Sequence, residues 1–569
     1  MRAGRLAGVP AQGVVPMSTD HNPNLTRVRS PAPRRVRAAR MPALLSIVAV
    51  VAALVVIAPL LALCGLAFSE STPQSGALHH LLSTVLPGYA IRSAGLVALV
   101  VVFVLMLGAG SAWLIAAYDF PGRRVLEVAL VLPLAMPAFV MAYAYTDALD
   151  TSGPVQTTLR AVMGWQVGEY AFPQVRSLPG AAFFLSLALY PYVYILARNA
   201  FAERNPAIAE AARSLGLSPV RVWWRVTWPV ARPSIAAAVA LVTMETLADF
   251  GTVSFFAVDT FSAGIYRAWQ SMGDRATAAQ LALVLLVVVL ALVRFERHQR
   301  GRMAFHARGA RPALRHRLHG MRAGAALLAC LCPVALGFIV PALLLLRGWS
   351  LEGGTWDPRL LQWTLNTTVL SALAALITVP CALAVAYALR LAHSRWLALA
   401  ATLSGLGYAI PGVVMGVGLL AVTSAWDRGP GVITHWMLGG TAVALIYAYC
   451  ARFFAVAQQG LEAALKRVSP SMDASARSLG ATPLDVLRRV HWPLLRSSVA
   501  SVALLVFVDC IKELPATLVL RPFNLDTLAV VSYQFASDER LGQAALPSLL
   551  IVAVSLWPVL WLSRSARST

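Results

Sequence analysis

The sequence predicts an all-α polytopic membrane protein with about twelve transmembrane helices, arranged as two parallel six-helix repeats. Three observations carry this reading. Mean hydropathy is +0.69, with 58% hydrophobic and only 13% charged residues, far too little charge to cover a soluble protein of 569 residues. About twelve apolar runs approach the roughly 20 residues that a bilayer-spanning helix needs. A 23-residue segment also occurs twice, 264 positions apart, with 12 identical positions and no gap.

In order, the runs lie near residues 42–68, 91–118, 125–146, 179–200, 233–256, 276–293, 323–346, 365–389, 396–424, 438–457, 498–520 and 541–563. The run at 396–424 is long and interrupted by Gly and Pro, which predicts a kink or a break. No ten-residue alternating pattern points to a barrel. Residues 1–41 read as a disordered basic tail, in which Met17 or Met41 are candidate starts. The first run exceeds a signal-peptide core and is expected to remain as a span. Two transmembrane domains, 42–293 and 323–563, are then joined by a basic linker at 294–322 and followed by a short tail at 564–569.

The formal charge of +22 is concentrated. Residues 1–40 hold eight Arg against Asp20, and 294–322 hold nine Arg against Glu296. The turns at Arg123–Arg124 and Arg390–Arg395 and both repeated segments are basic too. Counting spans puts all of these on one face, the cytoplasmic one by the positive-inside rule, with both termini there. Orientation thus accounts for the charge without nucleic acid. The six Cys lie in apolar runs without a CxxC pair, so neither disulfide framework nor metal site is indicated. His298, His306, His316 and His319 lack ligand-like spacing, and no stable metal site is expected.

The repeated segments run from Arg213 to Ile235 and from Arg477 to Val499. Six spans separate them, so both emerge on the same side and the halves are parallel. Each reads as two short helices at an angle. IAEAARSL and MDASARSL are helix formers, and Gly216 and Gly480 suit a left-handed helix end. Ser218 and Thr482 stand as N-caps before Pro219 and Pro483. The second helix is expected to stop at Pro229 and Pro493, beside Trp228 and Trp492 at the membrane interface. Arg221, Arg225 and Arg232, and Arg488, Arg489 and Arg496, should face water or lipid phosphate. The layout is a knob suited to a groove in a partner, although bare surface helices joining two spans would share the pattern.

Glu210-Ala211-Ala212, Gly216 and Pro229 resemble the coupling motif of binding-protein-dependent ABC importer permeases. The second copy is degenerate: Ala474-Ser475-Ala476, Gly480 and Pro493, with Asp473 supplying the acid one place earlier. The stretches Glu245 to Trp269 and Lys512 to Val530 are similar to the ferric-iron branch. The resemblance covers nearly the whole chain and implies a type I importer fold of the fused two-domain kind in a bacterial inner membrane. It implies a transport subunit rather than an enzyme, coupled through both loops to two copies of an ABC ATPase and fed by a periplasmic binding protein. Only Lys466 and Lys512 are lysines, and neither follows a glycine. No phosphate-binding loop is therefore possible, and ATP-Mg belongs to the partner. Thiamine, polyamine, sulfate and aminoethylphosphonate remain alternative cargoes.

Ionisable groups inside spans are costly and point to function. Glu245 and Asp249, and Asp509 and Glu513, recur four apart at the same 264-residue offset, with Lys512 beside the second pair. Four-apart positions share a helix face, so each fifth span is expected to show paired carboxylates to the translocation path. Such oxygens suit a hard cation. The competing expectation is that these groups pair with one another or with Arg198 and Arg452 to lock helices. Tyr190, Tyr192 and Tyr194 are read as interfacial. A twelve-span proton-coupled secondary transporter would use the same carboxylates but needs no duplicated knob. A polyprenyl-sugar transferase would need a large acidic loop, which is missing from the sequence.

Overall fold

The computed structural model describes residues 43–69, 81–202, 212, 214–301, 315–351, 356–391 and 394–565. Residues 41–569 belong to one unit. Nearly all described residues are helical. The sheet content is a parallel two-residue pair, Tyr118–Asp119 with His316–Arg317, which ties the end of the linker to the first half.

The described residues contain eight helices long and apolar enough to span, or ten if two bent helix pairs each count as one span, so the expected count of twelve is not confirmed. The bent pairs are Arg123–Ala135 with Ala138–Met163, at 91°, and Arg395–Ala409 with Gly412–Arg428, at 116°. The second break was legible; the first corrects the expected straight run at 125–146. Both have one cause. A short 3₁₀ turn, Leu132–Ala135 or Gly407–Ala409, is followed by an extended residue, Met136 or Ile410, before Pro137 or Pro411. Proline forces its predecessor out of the helical region. The two remaining runs form helices Trp228–Ala248 and Ala442–Lys466. They carry Glu245 and Arg452, charges tolerable where a helix faces other helices rather than lipid.

The halves exchange their leading helices. Ala43–Ser69 packs on Leu360–Leu391, Arg395–Ser404 and Gly412–Arg428 of the second half. Val340–Leu351 packs mainly on Leu541–Ser565 of its own half but also reaches Ala138–Leu149 of the first. Each of the two hydrophobic cores accordingly mixes residues of both halves. One close approach seals the first exchange: a Cβ on Gly418 would lie 2.5 Å from the Pro59 carbonyl oxygen. With little hydrophobic drive between helices in lipid, such backbone proximity supplies the packing.

Gly418→Ala must push the leading helix away. It is expected to destabilise the protein by about 1–3 kcal/mol, in the range of overpacked cores, seen as a lower Tm of the purified protein in detergent.

Candidate functional site

The repeated segments fold alike. Gly216 and Gly480 both adopt positive φ, +82° and +87°, the left-handed turn that the sequence indicates. Thr482 forms a capping box with Asp485 ahead of Pro483–Val486. The expected stop at Pro229 and Pro493 is corrected. A π turn, Trp223–Thr227 or Leu487–His491, carries the chain without interruption into Trp228–Ala248 or Trp492–Ile511, with the proline in the first turn. Proline lacks an N–H and clashes with the carbonyl four residues back; a wider π turn absorbs both problems. Arg221, Arg225, Arg232, Arg488, Arg489 and Arg496 are exposed, as expected.

Glu210 and Ala211 lie outside the described residues, whereas Ala212 is buried and Pro229 exposed. In the second copy Ala474, Gly480 and Pro493 are exposed. Asp473 is turned inward. Its carboxylate takes Arg390 Nε at 2.8 Å and His491 Nε2 at 2.7 Å, and His491 is wholly buried. Arg390 also donates to the carbonyls of Leu465 and Val468, and the Tyr387 hydroxyl donates to the Pro483 carbonyl at 2.6 Å. Burial alone would raise the Asp473 carboxyl, but the hydrogen bonds from Arg390 and His491 outweigh it and hold it below the ordinary value. The first elbow is held differently, by Trp223 against Trp113, Trp224 and Trp228 at centroid distances of 6.2, 4.6 and 5.6 Å. Beside the exposed arginines, both elbows present an apolar side chain: Leu215 is 83% and Leu479 88% exposed, each just before the turn glycine. Sequence reasoning missed this pair, although their shared offset and leucine identity were visible.

Glu245, Asp249, Asp509, Lys512 and Glu513 converge on one cavity of about 140 Å³ between the halves. Arg452, Tyr192 and Tyr408 complete its polar lining. The paired-carboxylate helix face is corrected, because the helices end at Ala248 and Ile511. Asp249 instead accepts from the backbone of Thr252 and Val253 at 3.1 Å each, capping Gly251–Phe255. Glu513 accepts from Ala516 N at 3.1 Å, at the start of Pro515–Leu520. Glu513 also pairs with Arg452 at 2.5 Å, and Asp509 with Lys512 at 3.4 Å. Glu245 lies within hydrogen-bonding reach of Tyr408. Arg198 stands apart on Glu127 at 3.2 Å. Tyr190 and Tyr194 are fully buried and Tyr192 lines the cavity, which corrects their interfacial reading. The rings fill space between helices, where the 179–200 run is 72% buried.

Residues 104–299 match the family described as the binding-protein-dependent transport system inner membrane component. A Fe(3+)-transport system permease of Haemophilus influenzae is 28% identical over 81% of this chain and 86% of its own length. The ferric transport system permease protein FbpB of Actinobacillus pleuropneumoniae is 24% identical over 74% of this chain and 63% of its own. The molybdenum permease ModB of Escherichia coli is 27% identical over 36% of this chain but 92% of its own, so a half-sized permease fits within it. These matches support a binding-protein-dependent ABC transporter permease. Within that class it resembles the ferric-iron branch.

Arg452→Met strands the buried Glu513 carboxylate and is expected to cost about 3–5 kcal/mol. Adding Glu513→Gln should recover most of the lost Tm; equal losses in single and double variants would dissolve the pairing. The depressed Asp473 carboxyl stabilises the second elbow at pH values above its unfolded value of about 3.9 and ceases to as pH falls through the lower folded one. Limited proteolysis of the 470–491 segment should therefore accelerate only in strong acid, and Asp473→Asn should make it fast already at neutral pH.

Proposed function

We propose that this multi-pass inner-membrane permease imports ferric iron delivered by a periplasmic binding protein, driven by two copies of an ABC ATPase seated on the two elbows. The cavity carries the reading of the cargo: four carboxyl groups, Glu245, Asp249, Asp509 and Glu513, face two basic ones, Arg452 and Lys512, with two tyrosines between them. That excess of negative oxygen suits a hard cation and opposes an oxyanion such as sulfate, the cargo named for one of its relatives. Its contacts with the cargo would be transient, without a stable metal site.

The exposed Leu215 and Leu479 support docking, since large apolar side chains held in solvent at equivalent points mark a contact surface. ATP-Mg would bind the partner, and closure of the ATPase pair would draw the elbows together and rock the halves between inward- and outward-facing states. With the basic turns and both termini in the cytosol, the elbows meet the ATPase there.

Uptake of labelled ferric iron by a deletion strain carrying the gene tests the assignment. Wild type should restore uptake; Glu245→Gln should lower it, and Glu210→Arg or Gly216→Pro should abolish it while the protein remains in the membrane. Restored uptake of thiamine or polyamine without iron would reassign the cargo, and unchanged uptake in the elbow variants would remove the docking role.

A further inference from the structure

A second cavity of about 140 Å³ adjoins the acidic one and extends toward Glu127 and Arg198. Leu134, Tyr192, Asp509 and Lys512 line both, so these four side chains form the partition. Within this partition Lys512 carries the polar link between the halves. Its ammonium sits 3.4 Å from Asp509 Oδ1 on its own segment and donates to the Leu134 carbonyl at 3.2 Å. Leu134 belongs to the 3₁₀ turn where the first half's bent span breaks, so the link grips a point where backbone direction changes.

The duplication sharpens its meaning. At the 264-residue offset the acids recur, Glu245 with Asp509 and Asp249 with Glu513, but Ala248 stands for Lys512 and Ala188 for Arg452. Both alanines also line the cavity. Both basic groups thus come from the second half. Arg452 is committed to the buried Glu513. Lys512 is a compact charge on a flexible four-carbon stem, able to leave one carboxylate without unfolding anything.

We propose that Lys512 is a cation-displaced latch. With no cargo its ammonium occupies Asp509 and, through Leu134, holds the two cavities apart. A cation entering the acidic chamber takes over the Asp509 carboxylate and repels the ammonium, because like charges at contact distance are strongly unfavourable away from bulk water. Nζ leaves the Leu134 carbonyl, and the cavities join. This inference rests on the reading of the chain as a cation importer.

The test uses the intact transporter, with its ATPase and binding protein, in liposomes containing calcein, which entering Mn²⁺ quenches. Without ATP, wild type should be tight. Lys512→Met keeps the stem and removes the charge, and should raise Mn²⁺ entry about tenfold or more, as expected for loss of a charged hydrogen bond across a barrier. Lys512→Arg should stay tight, and chloride entry should not rise. Asp509→Asn, which loosens the tether from the other side, should leak in the same sense and serves if Lys512→Met does not assemble. Tight vesicles with both neutral variants would overturn the latch, as would a chloride leak equal to that of Mn²⁺. ATP-driven ferric uptake by wild type is run alongside; its failure would count against the cargo assignment and leave the leak result standing.

Discussion

The contact between Arg452 and Glu513, 2.5 Å apart and almost entirely out of solvent, organises the centre of the molecule. Isolated charges at this depth are costly, and each partner makes the other tolerable. Around the pair three elements are fixed at once. Arg452 comes from helix Ala442–Lys466; Glu513 follows Trp492–Ile511 and caps Pro515–Leu520. Gly412 begins the second limb of the bent span so close to the pair that a Cβ there would meet Arg452 Nη1 and Glu513 Oε1, the latter at 2.6 Å. The break before Pro411 therefore places a helix start against an ion pair.

Duplication supplied the scaffold, and divergence supplied the chemistry. The elbows and the short helices after each fifth span remain superposable in sequence, with carboxylates in matching places. Their supports have separated: a cluster of tryptophans braces one elbow, while Asp473, Arg390 and His491 brace the other. The missing glutamate of the second repeated segment fits this picture. The acid present one position earlier is consumed internally, while the two elbows still share outward a leucine, a left-handed glycine and two arginines, Arg225 with Arg489 and Arg232 with Arg496.

Much of this was legible in the sequence because the determinants are local or periodic. The apolar runs, the left-handed turns at Gly216 and Gly480 and the recurrence of the acidic positions needed only hydropathy, turn chemistry and the repeat offset. What escaped depends on long-range packing. The break at Pro137 was masked by an apolar run that reads as continuous, since hydropathy is blind to a missing N–H. The helix ends at Ala248 and Ile511 turned an apparent helical face into two caps, and the inward turn of Asp473 escaped the sequence because its partners lie 83 and 18 residues away.

The exchanged leading helices bear on how the chain is made. Helix Ala43–Ser69 finds one packing surface on Arg275–Gly301 of its own half, but most of it on Leu360–Leu391, Arg395–Ser404 and Gly412–Arg428, nearly 300 residues downstream. At roughly 5–20 residues per second of synthesis, it waits on the order of 15–60 s before the first of the latter emerges. It is composed for that wait: its apolar window has a hydropathy of 3.1, the highest among the spans, and its 27 residues carry no charge. The least decorated helix of the protein is the one that must stand longest in lipid without its final neighbours.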